Sequence, residues 1–131
     1  MKHHEHSLRG SWEGKLLDVQ GYQARVWLEF ERDRSCRGKM KMVRKGQHAP
    51  IELVGSVEAT LADEGDVRFV YEIEEGQGRP GSRITFAGQL RAAAPHALSA
   101  IYGTYEIQSG SERTLSAGVA VFWKYAATSK G

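Results

Sequence analysis

The chain has 131 residues, of which 40% are hydrophobic and 26% charged, and its formal net charge is +2. That is the length of one domain with enough apolar residues to bury a core, which excludes a disordered chain. The small net charge and a pI of about 8.8 lend a polyanion-binding role no support, so no nucleic-acid partner is expected.

Met1-Lys2-His3-His4-Glu5-His6-Ser7 contains no apolar secretory core, and no apolar run approaches the roughly 20 residues that cross a bilayer. A single cysteine, Cys36, leaves no intramolecular disulfide. The expectation is a cytoplasmic chain with no membrane partner: a flexible tail over 1–8, one domain over 9–126 and a short tail over 127–131. Met1 to His3 offer an amine, two backbone nitrogens and the His3 imidazole, a square-planar set for copper(II) or nickel(II). Adventitious binding by a flexible tail is the plainer account.

In chain order, period-two alternation dominates. A first strand is expected from Trp12 to Val19, ended by Gln20-Gly21. In the second, Ala24, Val26, Leu28 and Phe30 share one face, and Arg25, Trp27, Glu29 and Glu31 take the other. Asp33-Arg34-Ser35 turns into Cys36, Gly38, Met40 and Met42, alternating with Arg37, Lys39 and Lys41. Beyond Lys45-Gly46, Ile51, Leu53, Gly55, Val57, Ala59 and Leu61 form a fourth apolar row. Val67, Phe69, Tyr71 and Ile73 form a fifth, and Ile84, Phe86, Gly88 and Leu90 a sixth. Leu98 to Ile107 and Leu115 to Tyr125 complete about eight strands.

No connection is long enough for a crossover helix, so neighbours should pair antiparallel as a meander. One face of each strand is apolar, and an open sheet would expose that face and two bare edges. Closure into an up-and-down β-barrel removes both defects. Gly38, Gly55, Gly88 and Gly103 on the apolar parity permit the sharp strand coiling that closure needs. A two-sheet β-sandwich has the same alternation and is the alternative architecture.

Gly10-Ser11-Trp12-Glu13-Gly14 resembles the G-x-W motif that opens the first strand of calycins, the group of lipocalins, fatty-acid-binding proteins and avidins. Gly103-Thr104-Tyr105-Glu106-Ile107, a Ser-Gly turn and Leu115 to Lys124 resemble their last hairpin, with avidins the nearest comparison. The resemblance implies an eight-stranded barrel with a cavity open at one end and Trp12 across the closed end. It makes Lys124 the counterpart of the family's basic residue near the end of the last strand. Biotin is not implied: Ile101 stands where an aromatic wall is needed, and only Ser99 offers a similarly placed hydroxyl.

The expected lumen is lined by Val26, Leu28, Phe30, Met40, Met42, Leu53, Val57, Phe69, Tyr71, Ile84, Phe86, Ile101 and Tyr105. One reading makes it a pocket for an apolar small molecule, with Tyr71 and Tyr105 as polar handles and Ser99 at its edge. The other is a packed core, because eight strands enclose an interior that side chains can fill. Trp27, outward with Arg25 and Glu29, is the candidate anchor of a homo-oligomer interface, or a ring resting on the stems of Arg25 and Arg37. Arg37, Lys39, Lys41, Arg44 and Lys45 form a basic stripe, expected to pair with Glu29 and Glu31 on the neighbouring strand. Cys36 reads as an inert thiol. No catalytic motif appears and no cofactor is implied. An isomerase or cyclase would have to use Tyr71, Tyr105, Glu106 or His96 as acid or base.

Overall fold

A computed structural model of the chain describes residues 7–21, 23–44, 51–73, 82–93, 98–109 and 114–125. The described residues form eight strands: β1 (Gly10–Asp18), β2 (Gln23–Phe30), β3 (Cys36–Arg44), β4 (Ile51–Leu61), β5 (Asp66–Ile73), β6 (Ser82–Ala93), β7 (Leu98–Ser109) and β8 (Thr114–Tyr125). Each pairs antiparallel with the next, and β1 pairs with β8 from Glu13↔Trp123 to Asp18↔Gly118, closing the barrel. The sandwich alternative is thereby set aside.

Alternation puts one parity of each strand inside. Trp12 and Leu16, Val26, Leu28 and Phe30, Met40 and Met42, Leu53 and Val57, Phe69 and Tyr71, Ile84 and Phe86, and Ile101 and Tyr105 are all buried. At the centre four phenylalanines interlock. Phe69 stacks on Phe30 and Phe86 with centroids 5.7 and 5.2 Å apart, and Phe122 meets Phe69 and Phe86 edge-on at 5.6 and 5.4 Å. Offset and edge-on geometries suit the ring quadrupoles and add to the area buried.

The interior glycines answer to strand coiling. Gly88 and Gly103 lie directly opposite each other on β6 and β7. A Cβ on Gly103 would stand 2.5 Å from the Cα of Gly88 and 2.9 Å from the carbonyl carbon of Ala87, so only hydrogen fits.

The end carrying the N-terminus is sealed. Leu8 is fully buried, and its N–H donates to the carbonyl of Asp33 at 2.7 Å. Leu8 therefore belongs to the barrel, one correction to the tail expected over residues 1–8. Trp12 Nε1 donates to the Leu8 carbonyl at 2.8 Å. Lys124 lies over the Trp12 ring, 4.8 Å from its centroid, and its ammonium donates to the carbonyls of Ser7 and Arg9. Ser7 and Arg9 both engage the Asp33 carboxylate, at 2.7 and 3.3 Å. Asp33 is held below the usual carboxylate range, chiefly by the Ser7 hydrogen bond. Burial lowers Lys124 from the usual lysine range, and the charge of Asp33 opposes that shift.

Candidate functional site

All thirteen residues expected to line the lumen, Phe30, Met40, Met42, Phe69, Tyr71, Phe86, Ile101 and Tyr105 among them, face inward and are at most 7% exposed. Ser99 sits on the same parity, half-buried and opposite Lys124 in the β7–β8 register. Together they pack. The cavity between Leu16, Leu28, Met40, Tyr71, Phe86 and Phe122 measures about 20 Å³. That is room for one water, whereas ligand sites run from roughly 300 Å³ upward. The small inward residues do not leave empty volume, because neighbouring backbone and rings close over them: Tyr71 over Gly55, Phe30 over Gly38.

Toward the loop-bearing end of β8 the lumen turns polar. The Ser116 hydroxyl donates to Asp18 Oδ2 at 3.0 Å and shares a second side-chain hydrogen bond with Tyr105. Burial and then the Asp18 charge raise Tyr105 above the usual phenol range, and the Ser116 contact opposes them. Asp18 Oδ1 also accepts from the Gln20 N–H at 2.9 Å, tying this network to the β1–β2 turn. Asp18 continues the inward parity of Trp12, Gly14 and Leu16, a signal present in the sequence. Glu72 and Glu106 are exposed on the outside. Cys36 is half-buried, with its sulfur 4.0 Å from the Arg32 carbonyl. His3 and His96 lie outside the described residues, and among those described no three His, Cys, Asp or Glu converge as metal ligands.

The outer wall is less uniform than its sequence suggests. Trp27 Nε1 donates to Glu13 Oε2 at 3.3 Å, and the Arg25 and Lys41 cations each lie 5.3 Å from the ring centroid. Lys41 replaces the expected Arg37 because it is Trp27's direct partner across β2 and β3. The basic stripe also finds different acids. Arg37 bonds Glu58 at 2.8 Å and Lys41 reaches Glu52 at 3.4 Å, both on β4, whereas among the described residues Glu29 and Glu31 on the β2 side form no ion pair with the stripe. Register offers the stripe an acid on each side, Glu29 opposite Lys39 on β2 and Glu58 opposite Arg37 on β4, and the β4 side is where Arg37 and Lys41 form their ion pairs.

A row across five strands of the outer face reads Trp123, Glu13, Trp27, Lys41, Val54. It lines a shallow groove of about 750 Å³, extended by Ser11, Glu29 and Lys39. Trp123 connects this groove to an apolar area on β8 and its neighbours. There Leu17, Val19, Tyr102, Val119 and Val121 are 44, 80, 47, 54 and 39% exposed. Val121 lies between Tyr102 and Lys15, and Val119 between Thr104 and Leu17. The outward residues of β8, from Ala117 to Trp123, carry no charge, whereas every other strand displays at least one.

Sequence reasoning missed this face for a physical reason. From Ala117 to Trp123 both parities are apolar or glycine, so alternation does not say which one is solvated. The flanks point the wrong way, since Ser116 and Lys124 are polar on the parity that faces inward.

The fold and these surfaces define a closed eight-stranded antiparallel barrel with a filled centre and an apolar outer face. A scan against protein-family models returns no match for the chain, and a search of curated proteins also returns none.

Proposed function

We propose that this barrel is a non-catalytic interaction module that works through its outer face, centred on β8, in preference to its lumen. One observation carries the reading: the exposed apolar area of Leu17, Val19, Tyr102, Val119 and Val121 adjoins a tryptophan-lined groove with charged borders. Protein interfaces have this anatomy, an apolar centre with aromatic anchors inside a polar rim. Trp27 suits the rim better than the centre, since Arg25, Lys41 and Glu13 already hold it.

The lumen reading, a small apolar ligand bound among Phe30, Met40, Met42, Phe69, Tyr71, Phe86, Ile101 and Tyr105, has less support. A ligand would have to displace packed side chains from a cavity of about 20 Å³. Kinship with the calycins is likewise a proposal, supported by the barrel and by Lys124 lying over Trp12 at the sealed end.

Fluorescence of 1-anilinonaphthalene-8-sulfonate tests the reading. The dye should bind the native barrel, and Val119→Gln with Val121→Gln should remove most of the signal while the circular dichroism stays native. The neutral substitutions avoid simple repulsion of the anionic dye. Val70→Gln, on β5 away from this face, should leave the signal unchanged. Dye binding indifferent to the β8 substitutions would overturn the outer-face reading in favour of the lumen.

A further inference from the structure

Resting on that outer-face reading, we infer that the partner is a second copy of this chain, docked face to face about a two-fold axis beside β8. Three observations support this choice.

Closure removes one route to association. Every one of the eight strands has a partner on both sides, and β8 in particular is paired along its length with β7 and β1, so this face offers no strand edge to add to. Association must use a face, as two sheets do when they stack.

The outer face holds both halves of a contact. An isologous interface uses one surface twice, so that surface must carry a feature and its complement. Here the exposed Val119–Val121 row with Tyr102 and Leu17 lies beside the groove of Trp123, Glu13, Trp27 and Lys41. Trp123 and the β1 residues opposite β8 are common to both. A two-fold axis between row and groove sets each copy's valines into the other's groove, so every such contact occurs twice. The groove wall is also pre-organised. Trp27 is fixed by one hydrogen bond and two cations, and ordering it on docking costs little further entropy.

The size and charge also fit. The five exposed apolar side chains offer roughly 500 Å² per copy, toward the upper end of what monomers leave uncovered. With the groove added, the face approaches the roughly 800 Å² per partner of a standard interface. The valine row itself carries no charge, and the charges that line or border the groove, Glu13, Lys15 and Lys41, are of both signs, so a like copy meets no single-sign field.

Sedimentation equilibrium of the full chain tests the inference. The expected result is a concentration-dependent dimer. Val119→Glu, which puts two uncompensated carboxylates into each dimer, should weaken it by about a hundredfold or more. Val70→Glu, at an exposed valine on β5 three strands away from β8, should leave the association constant within about twofold. Native circular dichroism of both variants separates lost association from lost folding. A chain that stays monomeric at the highest soluble concentration, or a dimer that Val119→Glu leaves unchanged, overturns the two-fold dimer. If the dye responds to the β8 substitutions while the chain is monomeric, the outer-face reading stands and the second-copy inference fails. If neither responds, both fail.

Discussion

Replacing Gly103 by alanine adds one methyl group, and two effects of opposite sign compete. Gly103 has no positive φ, so alanine suits its backbone. Restricting the unfolded chain would then stabilise the barrel by about 0.4–1 kcal/mol. Against this, the new Cβ would stand 2.5 Å from Gly88 Cα and 2.9 Å from the Ala87 carbonyl carbon, and closer still to its oxygen. Ordinary carbon contacts begin near about 3.5 Å, so β6 and β7 must separate by more than about 1 Å at their middle. The obstacle is backbone, with no flexible side chain to swing aside. Both strands are also committed to twelve register pairs. Overpacking of this kind costs about 1–3 kcal/mol and more where backbone must move. The clash therefore outweighs the entropy gain, and a net loss of about 2–3 kcal/mol is expected. Urea unfolding should show a lower midpoint at unchanged m. In a thermal scan the Tm should fall by about 7–11 °C for a domain of this size. Gly21→Ala is the contrast, since nothing lies within 4 Å and the cost there comes from a φ of +97° alone. It should lose only about 1–2 kcal/mol. A Gly103→Ala barrel as stable as the parent would refute the account of strand coiling.

Phe122→Ala removes the ring that meets Phe69 and Phe86 edge-on, and should cost about 3–5 kcal/mol by urea unfolding. The enlarged apolar cavity should then take up benzene, with a measurable rise in Tm. Trp12→Phe leaves the Leu8 carbonyl without its indole donor and weakens the contact with Lys124. A loss of about 2–4 kcal/mol is expected, with faster exchange of the Leu8 amide as the local sign that the seal has loosened. Alkaline stability should show two opposed slopes. Lys124 is depressed when folded, so above its folded pKa and up to the usual lysine range the unfolded chain holds more protons and stability rises with pH. Tyr105 is raised when folded, so above the usual phenol pKa the folded chain holds more protons and stability falls. Lys124→Met should abolish the first slope and Tyr105→Phe the second, measured as urea midpoints against pH.

Much of the barrel was written into the sequence. Ala24-Arg25-Val26-Trp27-Leu28-Glu29-Phe30 alternates strictly, and a side-chain period of two has only one way to bury Ala24, Val26, Leu28 and Phe30 together. With no room for crossover helices, antiparallel neighbours followed, and the apolar parity of the interior glycines pointed to coiled strands. Three features depended on distance in space instead. Ion pairing of the basic stripe turned to Glu52 and Glu58 although Glu29 stands opposite Lys39, because which of two flanking strands a long side chain leans toward is settled by side-chain geometry and not by strand order. Whether the lumen is hollow depended on how Phe30, Phe69, Phe86 and Phe122, drawn from four strands, interlock. The uncharged face of β8 appeared only once closure against β1 had chosen its inner side, since a strand apolar on both parities carries no contrast to choose by. Local alternation, a property of adjacent residues, made each strand legible by itself. Filling, pairing and exposure are properties of residues up to a chain length apart, and those the tertiary structure decided.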